Sequence, residues 1–346
     1  MEQQVKEVPY GVADFAKVIE QNLYYVDKTM FLPEIEKQPR NLFFIRPRRF
    51  GKSIFLSMLY SYYDCKQKDK FQKLFGNLWI GKRPTPLQGN YQILYLDFSQ
   101  ITGKIDVLEE KFGTYMSINL NAFVRYYADS YQEEKDEIIE AKDYAAKLEL
   151  IFKAAKAHNY PLYLIIDEYD NFTNVVLNEH GEKVYHAITH ADGFYRDVFK
   201  KFKGNFERIF MMGVSPVTLD DVTSGYNIGW NISIKPEFDE MLGFSTKDVI
   251  DMFTYYKENG LLPADCDIEA IVNDMKPWYD NYCFAEDALD KDIRMFNCDM
   301  VLYYLRNYMD SGRPPRIMID PNTKTDYGKM KKLLQFDKLD GERRGI

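Results

Sequence analysis

The 346-residue sequence predicts an α/β fold, a mainly parallel sheet covered by helices on both faces, with a smaller, mostly helical second domain behind it. Three observations predict it. Short apolar runs closed by polar or turn residues alternate with longer segments of helical spacing. The runs stop near residue 236, and the remainder of the chain is helix-forming sequence broken by polar stretches.

The runs "NLFFI" (41–45), "YQILYLDFS" (91–99), "PLYLIIDE" (161–168) and "RIFMMGVSP" (208–216) are β-branched or aromatic and too brief for helices. Between them "VLEEKFGTYMSINLNAFVRYY" and "DYAAKLELIFKAAKAHN" carry good helix formers at helical spacing. Strand-helix alternation of this kind calls for parallel crossovers. The turn-rich "KRPTPLQGN" (82–90) is a connection inside that unit. A core domain is therefore expected over 1–235. The segments "STKDVIDMFTYYKENG", "DIEAIVNDMKPWYDNY" and "CDMVLYYLRNYMDSG" form a helical, lid-like domain over 236–346, for which a winged-helix form is one option. The end, "KKLLQFDKLDGERRGI", is expected to fray.

Hydrophobic residues make up 46% of the chain, enough for a substantial core. With 45 basic and 53 acidic side chains the formal charge is −8, which argues against broad attraction to nucleic acid or anionic membranes but leaves a local basic patch open. Cys65, Cys266, Cys283 and Cys298 are scattered with no C-x-x-C pair, so reduced thiols and a cytoplasmic location are expected. The first residues have no apolar signal core, and no stretch approaches the ~20 apolar residues of a membrane span.

"NLFFIRPRRFGKSIFLSML" (41–59) is a strand running into a Gly-Lys-Ser that opens a helix. That is the context of a phosphate-binding P-loop, where helix N-terminal amides and a lysine hold an anionic phosphate chain. The expected nucleotide contacts are Arg48, Arg49, Phe50, Gly51, Lys52, Ser53 and Ile54. Lys52 would reach the β and γ phosphates, Ser53 would hold Mg²⁺, and Gly51 would allow close backbone approach. Arg46 stands where the generic pattern has its first glycine, and Pro47 removes an N–H. The expectation is a stiffer entrance to an intact cradle, with Arg46→Gly leaving binding within about tenfold. Arg48 and Arg49 suit phosphate, another domain or simple solvation.

"LYLIIDEYD" (162–170) ends an apolar strand with an acidic pair, at the sheet edge where parallel folds place ligands. Asp167 suits the Mg²⁺ shell and Glu168 the general base that polarises an attacking water. Ser215, ending "RIFMMGVS", suits reading the γ phosphate or placing that water, with a turn role before Pro216 as its alternative. Asp97 is another strand-end carboxylate, for which a structural role is preferred.

Nearly the whole chain then resembles one family, through "PYGVADFAKVIEQNLYYVDKT", "RPRRFGKSIFLSML", "LYLDFS", "LIIDEYDN", "FYRDVFK", "MMGVSP", "LGFSTKDV", "WYDNYCF" and "IDPNTKTDY". These are similar to the predicted AAA-ATPase-like proteins of bacteria, archaea and some anaerobic eukaryotes, related to the signal-transduction ATPases with numerous domains. The resemblance makes Arg46 the family's own form of the loop. It implies ATP as nucleotide, and it places the Tyr24–Thr29 segment, with Tyr25 and Asp27, at the adenine end. Longer relatives continue into a nuclease-like domain, of which no acidic-to-lysine signature appears after residue 236 here.

The expected function is Mg²⁺-dependent ATP binding and hydrolysis that switches the geometry of core and lid, with a protein or nucleic-acid client left open. The rivals are a nucleotide-binding interaction module with slow or no hydrolysis, and a small-molecule kinase. His186 and His190 share the four-residue spacing of a metal pair but lack a third ligand. Arg196 and Arg294 suit salt bridges better than a γ-phosphate contact, and "WYDNYCF" (278–284) reads as a packing anchor.

Overall fold

The four apolar runs become strands β1 (Asn41–Ile45), β2 (Gln92–Asp97), β3 (Leu162–Asp167) and β4 (Arg208–Gly213), joined by a short fifth, β5 (Trp230–Asn231). The computed structural model describes residues 4–321 except 103, 190–192, 216–228, 281 and 291–292. Every pairing is parallel and the order is β2-β3-β4-β1-β5, so β4 lies between the strand of the phosphate loop and the strand of the acidic pair. Register places Asp97 beside Asp167, and Ile45 beside Gly213, at the C-terminal ends of their strands.

The sheet feeds two cores. Along β3 every residue is buried, and because side chains alternate faces, Leu164 and Ile166 enter one cluster while Tyr163 and Ile165 enter the other. The first cluster is closed by helices α2 (Leu108–Tyr126), α3 (Tyr144–His158) and α4 (Phe194–Phe202). Helix α1 (Lys52–Tyr63), which leaves the phosphate loop, covers the second through Phe55, Leu56, Met58 and Leu59.

Beyond the sheet lie α5 (Thr246–Glu258), α6 (Ile268–Tyr279) and α7 (Cys298–Ser311). Each starts at a side-chain cap that satisfies first-turn amides: a capping box of Ser245 with Asp248, then Asp267, then Asn297. Their apolar faces build a third core to which the N-terminal residues Val8, Tyr10, Tyr24 and Val26 add. In return Phe238, Met241, Leu242 and Met295 enter the second sheet core. The packing therefore does not part cleanly at the expected 235/236 boundary. Extended pairing beyond 236 amounts, among the described residues, to two antiparallel bridges, Phe244–Phe296 and Tyr282–Met295.

Within "WYDNYCF" the rings of Tyr279, Tyr282 and Phe284 pack as expected of an anchor, while Trp278 at its start is 53% exposed. Among the described residues no helix is long and apolar enough to cross a membrane. All four cysteines are free thiols. His190, Pro216 and the C-terminal stretch expected to fray lie outside the described residues.

Candidate functional site

At the C-terminal edge of the sheet, a cavity of about 600 Å³ opens between the phosphate loop, the ends of β2 and β3, the N-terminal segment and the start of α7. Residues 48–54 line one side as a continuous stretch, so every expected loop contact faces this space with at least part of its structure. Gly51 has φ +85°, a left-handed conformation that suits glycine and turns the chain into α1, whose first turn lines the cavity without a side-chain cap.

The chemistry gathers where loop and β3 meet. Ser53 Oγ donates to Asp167 Oδ2 at 2.6 Å, and Lys52 Nζ lies 3.7 Å from Glu168 Oε1. The lysine ammonium also donates to the carbonyls of Arg46 (3.2 Å) and Pro47 (3.1 Å), which hold it across the mouth of the loop. Asp167 is 4% exposed, and burial pushes its carboxyl up to about 6, against the pull of the Ser53 hydroxyl. Its Oδ1 is buried with no hydrogen-bond partner. The Ser53 hydroxyl and an Asp167 carboxylate oxygen without a donor form an oxygen set that fits a hard divalent cation, and the nearby Lys52 ammonium complements an anion.

Several residues hold the loop from the far side. Arg48 O accepts from Asn297 Nδ2 at 3.2 Å, and Arg49, itself at φ +67°, forms an ion pair with Asp299. Phe50 O accepts from Gly243 N at 3.1 Å, while the Phe50 ring is wholly buried, edge-on to Tyr282 and Phe284. Phe50 therefore brings the cavity little beyond its main chain; its side chain is an anchor. Asn297 and Asp299, the N-cap and first turn of α7, hold the loop in a way that sequence pattern does not reveal, since a cap signal looks the same wherever the helix docks.

Arg46 is a buried residue, 1% exposed, whose guanidinium turns away from the cavity into the joint with residues 233–239, a role for its side chain that the sequence did not show.

Of the expected adenine-end pair, Tyr25 lines the cavity, its ring edge-on to Phe15 at 5.2 Å, and burial raises its hydroxyl pKa strongly. Asp27 lies outside the lining. Its Oδ1 accepts from the Thr29 amide and hydroxyl (2.8 and 2.6 Å) and its Oδ2 from Trp79 N (2.6 Å), so the carboxylate is spent on the turn, a correction to the expected nucleotide contact. The apolar end instead combines Tyr24, Tyr25 and Val26 with Met241, Leu242, Phe244 and Leu302.

Ser215 is also outside the lining; its amide donates to Asp170 Oδ2 (2.6 Å) and its carbonyl accepts from Tyr169 Oη (2.6 Å). Asp97 accepts from Ser99 N (2.9 Å), the structural role preferred for it, and yet lines the cavity beside Asp167. Arg196 and Arg294 are not among the lining residues.

A parallel sheet with a glycine-lysine-serine loop on β1 and an acidic pair on β3, separated by β4, is a P-loop NTPase architecture. The model of the family described as predicted AAA-ATPase matches residues 9–223, more than half of the chain, and the protein belongs to that family. An uncharacterized protein in the vnfD 5′ region of Azotobacter chroococcum mcd 1 is 26% identical over 288 residues, covering 82% of this chain. The chain spans 50% of the length of that relative. Among solved structures, Cdc6p from Pyrobaculum aerophilum aligns with 82% of this chain and 61% of its own, at 10% identity and a TM-score of 0.37.

Proposed function

We propose that the protein binds ATP with Mg²⁺ in this cavity and hydrolyses it, and that the loop contacts to Gly243, Asn297 and Asp299 pass the state of the nucleotide to the C-terminal helices. The observation that carries this is the meeting of Ser53 with Asp167, and of Lys52 with Glu168, beside a helix N-terminus in one cavity. The choice of ATP comes from the family, as does the expectation of Mg²⁺; the reduced cysteines support a cytoplasmic setting.

In this reading the amides of residues 51–53 and the Lys52 ammonium hold the β and γ phosphates. Ser53 and Asp167 would hold Mg²⁺, which when bound neutralises charge on phosphate oxygens. Glu168 takes a proton from water as its oxygen attacks the γ phosphorus. The bond from that phosphorus to the bridging oxygen breaks, leaving its electron pair on ADP. The Tyr24–Val26 side and the 241–244 side would enclose the base.

Two variants test the assignment. Lys52→Ala should lose nucleotide binding while keeping the fold, since it removes the ammonium directed at the phosphates. Glu168→Gln should keep affinity for a labelled ATP analogue while single-turnover hydrolysis falls by about 10²-fold or more, as expected for a lost general base. Hydrolysis by Glu168→Gln at the parent rate would remove Glu168 from the chemistry. Binding without turnover in the parent would favour a nucleotide clamp.

A further inference from the structure

The guanidinium of Arg46 has no part in the proposed reaction. A buried guanidinium is costly unless its donors are met. Here each terminal nitrogen is met by main chain, while Nε is buried without a hydrogen-bond partner. One terminal nitrogen donates to Ile45 O (2.9 Å) and Ser233 O (2.8 Å), and the other to Phe238 O (3.0 Å). The plane is stacked between two rings, 4.0 Å from the centroid of Phe44 and 3.8 Å from that of Phe284. Burial lowers its pKa to about 9, and nearby Asp239, which accepts from the Phe284 and Ala285 amides, offsets part of that fall.

The main chain of the same residue works on the site side. Its amide donates to Gly213 O at 3.2 Å, joining the ends of β1 and β4, and its carbonyl accepts from Lys52 Nζ at 3.2 Å. Ile45 N donates to Ser233 Oγ at 2.8 Å, a second fastening one residue upstream. Any shift of the 233–239 segment or of Phe284 therefore moves the carbonyl that holds the phosphate-binding lysine.

We propose that Arg46 is a positioning residue for nucleotide binding, which sets the attitude of the phosphate loop by clamping the end of β1 to residues 233–239 and Phe284. The consequence for ATP rests on the function proposed above; the clamping of the loop does not. Lysine cannot replace it fully, because an ammonium lacks the planar fork that reaches two separate carbonyls while stacking between rings. Methionine fills similar volume and donates nothing.

The test uses the full chain with Arg46→Lys, Arg46→Met and Phe284→Leu, the last keeping the charge and removing one stacking face. Amide hydrogen exchange, which needs no nucleotide, should quicken across 46–53 and 233–243 in Arg46→Met, less so in the other two, and stay at parent rates in β2 and β3. Affinity for a fluorescent ATP analogue per folded molecule should weaken on the order of tenfold in Arg46→Met, with partial rescue by Arg46→Lys. Parent-level exchange in the loop of a folded Arg46→Met would overturn the proposal. So would faster exchange throughout the sheet with unchanged affinity, which would make Arg46 a core residue alone. A parent that binds no analogue would sink the ATP assignment, and the loop exchange would still decide the clamp.

Discussion

Glu168 occupies left-handed backbone space at φ +52°, an uncommon place for a residue other than glycine. Its surroundings hold it there: Tyr169 N donates to Met212 O, and the next residue, Asp170, is fully buried and accepts from Val214 N, Ser215 N and Asn174 Nδ2. Asp170 thus ties the turn after β3 to the end of β4, behind the acidic pair. Burial raises its pKa from 3.8 to about 6, with the Glu168 charge adding to the rise and the two amides opposing it. An acid whose folded pKa is raised binds its proton more tightly in the folded chain. Its stabilising contribution is full below about 3.8 and is lost as pH rises through about 6. Relative to Asp170→Asn, which does not titrate, the parent should therefore lose stability between pH 4 and pH 7, by an amount on the order of 2–3 kcal/mol. Urea midpoints of both proteins across that range would show it, and a gap independent of pH would rule it out.

Among the elements, the turn between the sheet and α5 has little room for change. Gly243 has φ +92°, and a Cβ there would lie 3.0 Å from Phe50 Cδ1 and 3.2 Å from Phe296 O. Gly243→Ala therefore meets both backbone strain and the buried ring that anchors the phosphate loop. We expect a loss of roughly 1–3 kcal/mol in denaturant unfolding and weaker nucleotide binding, since Phe50 cannot move without its loop. Parent-like stability would mean the turn can yield without disturbing Phe50. The four long strands were legible because each is an apolar run that ends at a polar or turn residue, and β3 is buried on both faces. Strand β5 was not: Trp230–Asn231 is two residues long, and a Trp-Asn pair has no strand pattern. Lys52, Ser53, Asp167 and Glu168 stood out because loop and acidic pair are local motifs. The partners of the loop did not, because Ser233, Phe238, Asn297 and Asp299 lie 187 to 250 residues away in sequence from the loop residues they hold. For the same reason Arg46 looked like a local stiffener; a guanidinium carries no sign of which distant carbonyls it will meet.

For the molecule as a whole, the exchange of apolar side chains between regions argues that they fold as one. A chain ending at residue 235 would leave Phe50 without Tyr282 and Phe284, and Arg46 without Phe238 and Phe284. The second sheet core would lack Phe238, Met241, Leu242 and Met295. Such a fragment should fail to show a cooperative thermal transition, because several large apolar groups and one buried cation lose their cover together. A sharp transition near that of the parent would instead establish residues 1–235 as an independent domain.

The ion pair between Arg49 and Asp299 spans 250 residues, and it sets an order of events during synthesis. The strands and the phosphate loop leave the ribosome long before α7, so the loop must wait with its far wall missing while most of the chain is made. Contacts closed over such separations form late, after the loop-closure entropy has been met by more local structure. A ligand that needs the completed loop then binds only chains translated through α7, and its binding free energy adds to the stability of those finished chains alone.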